Sequence, residues 1–238
     1  MSLILNIETS SDICSVALGK NEKTLDIIKS QEERNHARIL TLLIDKILKN
    51  NNLEIRDLNA VAVSKGPGSY TGLRIGVSTA KGLSYGLNIP LIAVSTLEAM
   101  AEGALAGIRK EMPEIPQDTW LCPMIDARRM EVYLSFYNMA GNQQTDIQAK
   151  IITPRSFEKI LTKRKIVFFG TGSEKCKKAL VHPNVRFFEN IRPSAEYMVP
   201  LSFEHFQKQA FEDVAYFEPF YLKEFVPTIP ENKLKTDR

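Results

Sequence analysis

The 238-residue chain carries 31 Lys and Arg against 28 Asp and Glu, a net charge of +3, with 44% hydrophobic and 25% charged residues. That length and composition suit one large folded domain or two small ones, and the mild charge excludes a global field that would recruit nucleic acid or membrane. Three cysteines, Cys14, Cys122 and Cys176, are odd in number and far apart, so they fit a reducing compartment rather than a disulfide framework or a CxxC metal knuckle.

Met1 to Glu8 lacks a basic leading region and its apolar run breaks at Asn6, so no signal peptide is expected there. No apolar stretch approaches the ~20 residues of a membrane span. These features predict a soluble, cytoplasmic chain with no membrane contact.

In chain order, Leu3 to Ile7 reads as a buried strand, Glu8 to Asp12 as a polar turn, Ile13 to Leu18 as a second strand and Thr24 to Ser30 as a third. A helix is predicted over 35–49, with an apolar stripe (Ile39, Leu40, Leu42, Leu43, Ile44, Ile47, Leu48) wider than burial against one sheet requires. Ala60 to Ser64 is a buried strand, followed by Lys65-Gly-Pro-Gly-Ser-Tyr-Thr-Gly72 and a helix to about Leu87. The strand Ile89 to Val94 leads into a helix capped by Ser95 and running to about Ala106. Gly107 to Asp118, with Pro113 and Pro116, reads as a linker.

Beyond it the order repeats. Strands at Trp120 to Ile125 and Val132 to Tyr137 flank a polar turn, a third strand spans Gln148 to Ile152, and a helix, a strand at Ile166 to Phe169, Gly170-Thr-Gly172 and another helix follow. The second half reads as a worn copy of the first. The expected division is a first lobe over 1–106, a smaller lobe over 107–218 and an irregular tail over 219–238. Between Leu105 and Asn190 there are 14 basic and 9 acidic residues, so the second lobe is the more basic.

The block Gly66 to Gly72, between strand and helix, reads either as an anion cradle or as a tight turn that starts a helix. It is neither a Walker loop nor GxGxxG. In the helix it opens, Gly72, Gly76, Thr79, Ala80, Leu83 and Gly86 share one face, and each interior glycine costs roughly 0.5–1 kcal/mol relative to alanine. Close approach of another backbone, from this chain or a partner, would compensate. The three histidines, His36, His182 and His205, form no HxxxH or HExxH. Lys163-Arg164-Lys165 and Lys175, Lys177 and Lys178 read as solvated faces or phosphate contacts.

Ile7-Glu-Thr-Ser-Ser-Asp-Ile-Cys-Ser-Val-Ala-Leu18 resembles the TsaB (YeaZ) family, and Lys65-Gly-Pro-Gly-Ser-Tyr-Thr-Gly-Leu-Arg-Ile-Gly76 resembles it most specifically. Lys81-Gly-Leu83, Val94-Ser-Thr-Leu97, Ile125-Asp-Ala-Arg128 with Glu131-Val-Tyr133, Gly170-Thr-Gly172 and Glu218-Pro-Phe-Tyr-Leu222 extend the resemblance over nearly the whole chain. It implies an α/β, actin-like (ASKHA, ribonuclease-H-like) fold of two related lobes. It also implies partnership with a TsaD-like catalytic paralogue, and through the complex with a TsaE-like ATPase, in attaching a threonylcarbamoyl group to the adenosine beside the tRNA anticodon. The catalytic paralogue carries an HxxxH metal pair where this chain has Thr96 and Met100, poor substitutes for imidazole at a divalent site. Its second hairpin carries glycines where Ala127, Arg128 and Arg129 stand here.

The resemblance therefore implies a scaffold and activator with no catalytic residue and no metal of its own. The expected partner surface comprises His36, Ile39, Leu40, Leu43, Ile47, Gly72, Gly76, Thr79, Ala80 and Leu83, through which the isolated chain would form a homodimer. A remnant nucleotide or phosphate site would comprise Glu8, Thr9, Ser10, Ser11, Gly68, Ser69, Asp126, Gly170 and Gly172. No cofactor is required; any ATP or ADP would be held weakly or at the partner interface. Direct contact of the basic lobe with tRNA stays open, as do two enzyme alternatives, an M22-type metallopeptidase and an autonomous nucleotide phosphotransferase.

Overall fold

Strands buried on both faces form the centre of the first sheet. The structure, a computed structural model, describes residues 2–30 and 35–222. β1 (Leu3–Glu8), β2 (Ser15–Lys20) and β3 (Lys23–Lys29) form an antiparallel meander in which Ile7 faces Val16 and Ala17 faces Ile27. α1 (His36–Asn50) leads to β4 (Ala60–Gly66), which lies parallel to β1 with Ile4 opposite Ala60 and Ile7 opposite Val63. α2 (Tyr70–Leu87) returns the chain to β5 (Leu91–Ser95), parallel to β4. Successive residues of β1 and β4 point to opposite faces. Leu5, Ile7, Val61 and Val63 meet α1 and α2, whereas Ile4, Ala60 and Ala62 meet the other layer.

The second sheet repeats this plan. β6 (Trp120–Asp126), β7 (Glu131–Leu134) and β8 (Gln148–Ile151) are antiparallel neighbours, and β9 (Ile166–Phe169) and β10 (Val185–Phe187) run parallel on the other side of β6. Sheet one has the order β3-β2-β1-β4-β5 and sheet two the order β8-β7-β6-β9-β10, so the two halves share one topology. The helices did not survive equally. α4 (Glu158–Leu161) is a single turn, and the helix predicted after Gly172 is a 3-10 turn at Glu174–Cys176. Aromatic rings cover that face instead: Trp120, Phe136, Phe157, Phe168 and Phe187 form a chain with successive centroids 5.3, 5.4, 5.6 and 5.8 Å apart.

Two of the expected boundaries move. α3 (Thr96–Glu111) runs through the 106/107 division and stops just before Pro113, which disfavours helix in the residue preceding it. It packs between the layers, with Ala99 in a cluster of sheet one and Leu97, Met100, Ala104 and Ile108 in a cluster of sheet two. The segment after β10 then returns to sheet one. Ala195 N donates to Ser15 Oγ at 3.0 Å, and Met198, ahead of α5 (Val199–Gln207), joins the Ile4 cluster. Residues 107–218 are therefore not one lobe.

The stretch after α5 is irregular but tied down. Glu212 N donates to Leu91 O at 2.9 Å, Lys81 Nζ donates to the carbonyls of Ala215 and Phe217 at 3.1 and 2.9 Å, and Phe220 N donates to Lys65 O at 2.7 Å. Of the expected tail, 223–238 lies outside the described residues. Among the described residues no helix is long and apolar enough to cross a membrane.

Candidate functional site at the interlobe cleft

The β1–β2 turn is the centre of the site. Glu8, at the end of β1, is fully buried; its Oε1 accepts from Ser10 N at 2.5 Å and Ser64 Oγ at 2.9 Å, while Oε2 has no partner. Burial pushes the Glu8 carboxyl above the ordinary carboxylate range, against the lowering effect of the Ser10 and Ser64 hydrogen bonds. Burial, followed by the nearby Glu8 charge, pushes the Cys14 thiol up to about 12, so it is no nucleophile.

The Gly66–Gly72 block docks onto this turn. Ser69 N donates to Ser10 O at 2.7 Å, and Ser69 Oγ caps α2 by accepting from Gly72 N at 3.2 Å. A methyl group at Gly72 would be driven into the Thr9 carbonyl, one at Gly76 into Thr9 Oγ1 and one at Gly68 into Ser10. The close approach that the glycine face requires is thus made by this chain's own hairpin. Gly82 and Gly86 differ, with nothing within 4 Å of an added Cβ.

A cleft of about 1160 Å³ opens above the turn, walled by Ser10 and Ser11, the starts of α1 and α2, the Ile125–Arg128 turn, Arg192 and Phe220–Leu222. His36 lines it; its Nε2 lies 2.8 Å from Ser11 O and so donates there, leaving Nδ1 as a buried nitrogen without a partner. Asp12 pairs with Arg192 at 3.4 Å across the mouth, and the Tyr70 and Tyr221 rings lie 4.8 Å apart. Tyr133, on β7, also lines the cleft; Arg192 and Phe220–Leu222 were not expected at the site, because their place depends on the late return of the chain to sheet one.

The second hairpin is closed by its own contacts. Asp126 Oδ1 accepts from Arg128 N at 2.6 Å and from Lys175 Nζ at 2.8 Å. Arg128 and Arg129 take φ of 71° and 47°, a left-handed path costing roughly 1–3 kcal/mol each without glycine. The backbone therefore follows a glycine-like course despite the Cβ atoms. Gly170, with φ of 99°, packs against Met124 and the Met100 methyl group, and Gly172 packs against Val132 and Ile125. Both glycines serve close packing on β6. Thr96 and Met100 are fully buried. Among the described residues no three His, Cys, Asp or Glu side chains are grouped so as to hold a metal ion.

Of the expected partner surface, His36, Ile39, Leu40, Ile47, Gly72, Gly76 and Ala80 are buried within the chain itself. Leu43, Thr79 and Leu83 remain partly accessible, beside Leu42 and Tyr85, which are 61% and 83% exposed. The wide stripe of α1 is spent mostly on sheet one.

A family profile described as "TsaD: tRNA N6-adenosine threonylcarbamoyltransferase" matches residues 24–230. A protein of Escherichia coli (strain K12) named "tRNA threonylcarbamoyladenosine biosynthesis protein TsaB" is 33% identical over 232 residues, covering 92% of this chain and 94% of the relative. The chain belongs to the TsaB (YeaZ) family. Among solved structures, a Pseudomonas aeruginosa protein described as similar to peptidase YEAZ superposes with a TM-score of 0.79 at 25% identity, covering 94% of this chain and all of that one. The activator of 2-hydroxyisocaproyl-CoA dehydratase from Clostridium difficile, with bound ADPNP, has a TM-score of 0.50 at 9% identity over 87% of this chain and 97% of its own. These likenesses and the duplicated sheets make the fold α/β, of the actin-like ASKHA type.

Proposed function

We propose that this chain is a scaffold and activator without chemistry of its own, binding a TsaD-like catalytic paralogue in the complex that forms threonylcarbamoyladenosine in tRNA. The reading rests on family membership and on one observation at the start of α3. There Thr96 and Met100, which the family resemblance sets where the paralogue carries its metal-binding histidines, are fully buried, and Met100 is built into the apolar cluster against sheet two. Neither hairpin carboxylate is presented unpaired to the cleft, since Glu8 is sealed and Asp126 is held by Lys175.

The partner surface in this proposal is the outer side of α1 and α2: Leu42, Leu43, Thr79, Leu83 and Tyr85, with Gly82 and Gly86 admitting a close-lying helix. In the absence of the paralogue the same surface would pair two copies of this chain. A TsaE-like ATPase would join through the complex, and ATP or ADP would bind weakly or at the partner interface.

The test is reconstitution of tRNA modification with and without this chain, together with the double variant Leu43→Glu, Leu83→Glu. Burying a leucine contributes about 1.5–3 kcal/mol, so losing two should weaken association by at least about 100-fold and abolish co-purification. Modification that proceeds undiminished without the chain would overturn the activator role, and unchanged co-purification of the variant would overturn the surface. Micromolar ATP binding by the isolated chain would favour the phosphotransferase alternative.

A further inference from the structure

The two lysine-rich clusters of the second half end up in different electrostatic states. In the first, Lys175 pairs with Asp126 at 2.8 Å, and Lys177 pairs with Glu174 and Glu189, both at 2.6 Å. That cluster is largely neutralised inside the chain. In the second, Lys159, Lys163, Arg164 and Lys165 make no ion pair among the described residues.

Their placement concentrates the charge. Lys163 N and Arg164 N both donate to Ile160 O, so the turn of α4 continues into the cations and then feeds β9. Lys159 and Lys163 are four residues apart across that turn, a like-charge spacing that costs stability. The Arg164 guanidinium lies over the half-buried Trp120 ring, 4.4 Å from its centroid, and donates to the Asp118 backbone carbonyl at 3.4 Å. Trp120 N donates to Lys165 O at 3.0 Å, which fixes the cations to the start of β6. Helix-end electrostatics does not account for them, because a four-residue helix has little macrodipole for three consecutive cations to complement. Uncompensated cations beside an aromatic ring, on a fixed turn, suit a polyanion with a regular phosphate spacing.

We propose that this end of sheet two, where β6 and β9 begin, contacts the phosphate backbone of RNA through Lys159, Lys163, Arg164 and Lys165. The proposal rests on the reading that the chain works in tRNA modification, and gives the second half a role in that process.

The test is binding of a labelled tRNA transcript to the isolated full-length chain, followed by anisotropy over a series of salt concentrations. The double variant Lys163→Glu, Lys165→Glu should lose about ten-fold or more in affinity, and its slope of log K against log salt should fall by about 2. Lys20→Glu, Lys23→Glu, on the hairpin of sheet one, should bind as the unaltered chain does. The milder Lys159→Gln, Lys163→Gln pair should move in the same direction, which guards against a folding defect. Unchanged affinity in both 163-region variants, or an equal loss in the Lys20/Lys23 control, would overturn the surface. The assay omits the catalytic paralogue, so its failure leaves the scaffold reading intact, and failed co-purification there leaves this surface to its own test.

Discussion

Gly72→Ala lowers the unfolding free energy by about 2–3 kcal/mol, whereas Gly82→Ala, in the same helix, raises it by about 0.5–1 kcal/mol. The contrast follows from what each new methyl group meets. At position 72 it meets the Thr9 carbonyl, part of a turn held by Ser69 N donating to Ser10 O and by the Gly68 contact, so neither backbone yields cheaply. At position 82 it meets nothing, and alanine supplies only its better helix propensity. Denaturant titration of both variants checks this; equal effects would mean that the α2 glycines are not spacers against the hairpin. Because Ser10 and Ser69 line the cleft, Gly72→Ala should deform that opening too.

Glu8→Gln gains stability relative to the unaltered chain as pH rises from the unfolded carboxylate pKa to the higher folded pKa of Glu8, and above that the gap stays constant. Glu8 is fully buried and its carboxyl is raised mainly by desolvation. It releases its proton more reluctantly folded than unfolded, where the carboxylate pKa is about 4.3. Between that value and its folded pKa the native state holds the extra proton. The contribution of Glu8 to stability is thus fully present below the unfolded pKa and lost as pH rises through the folded one, at up to about 1.4 kcal/mol per pH unit. Glutamine keeps an oxygen for Ser10 N and Ser64 Oγ and has no charge to bury. Glu98, raised by burial against the lowering influence of His205 and Lys65, has the same sign, so the substitution flattens the pH slope without removing it. Thermal unfolding from about pH 4, near the unfolded carboxylate pKa, up to about pH 9 is the measurement, and parallel curves for the two proteins over that whole range would refute the buried-acid reading.

Most of the fold was legible where periodicity carries the information. The meander, α1 over 36–50 against an expected 35–49, and the repeat between halves follow from apolar runs bounded by polar turns and from helical apolar spacing. What failed was long-range placement. Nothing in Ala195 to Gln207 says that its apolar residues belong to sheet one, because an amphipathic segment fits either sheet equally well. The linker over 107–118 was drawn from its prolines, but a helix is stopped by proline only at the residue before it, and Leu105 and Ile108 keep α3 packed into its last turn. The site divides the same way. The β1–β2 turn and the Gly66–Gly72 block, grouped in the sequence by the family resemblance, touch through Ser69 N donating to Ser10 O. The burial of Ile39, Leu40 and Ile47 does not show in a sequence, since a stripe wide enough for two neighbours looks the same whichever of them covers it.

The aromatic chain on sheet two carries an optical consequence. Trp120 is the chain's one tryptophan, and it stands at the end of that row of rings, beneath the Arg164 guanidinium. Tryptophan emission is thus a reporter confined to the second half, while peptide circular dichroism averages over both. α3 and the return of the chain at Ala195 bind the two halves through shared clusters, so the two signals should lose their folded values at the same denaturant concentration. The same fluorophore lies under a cation assigned to RNA, so a bound polyanion would be seen without any added dye.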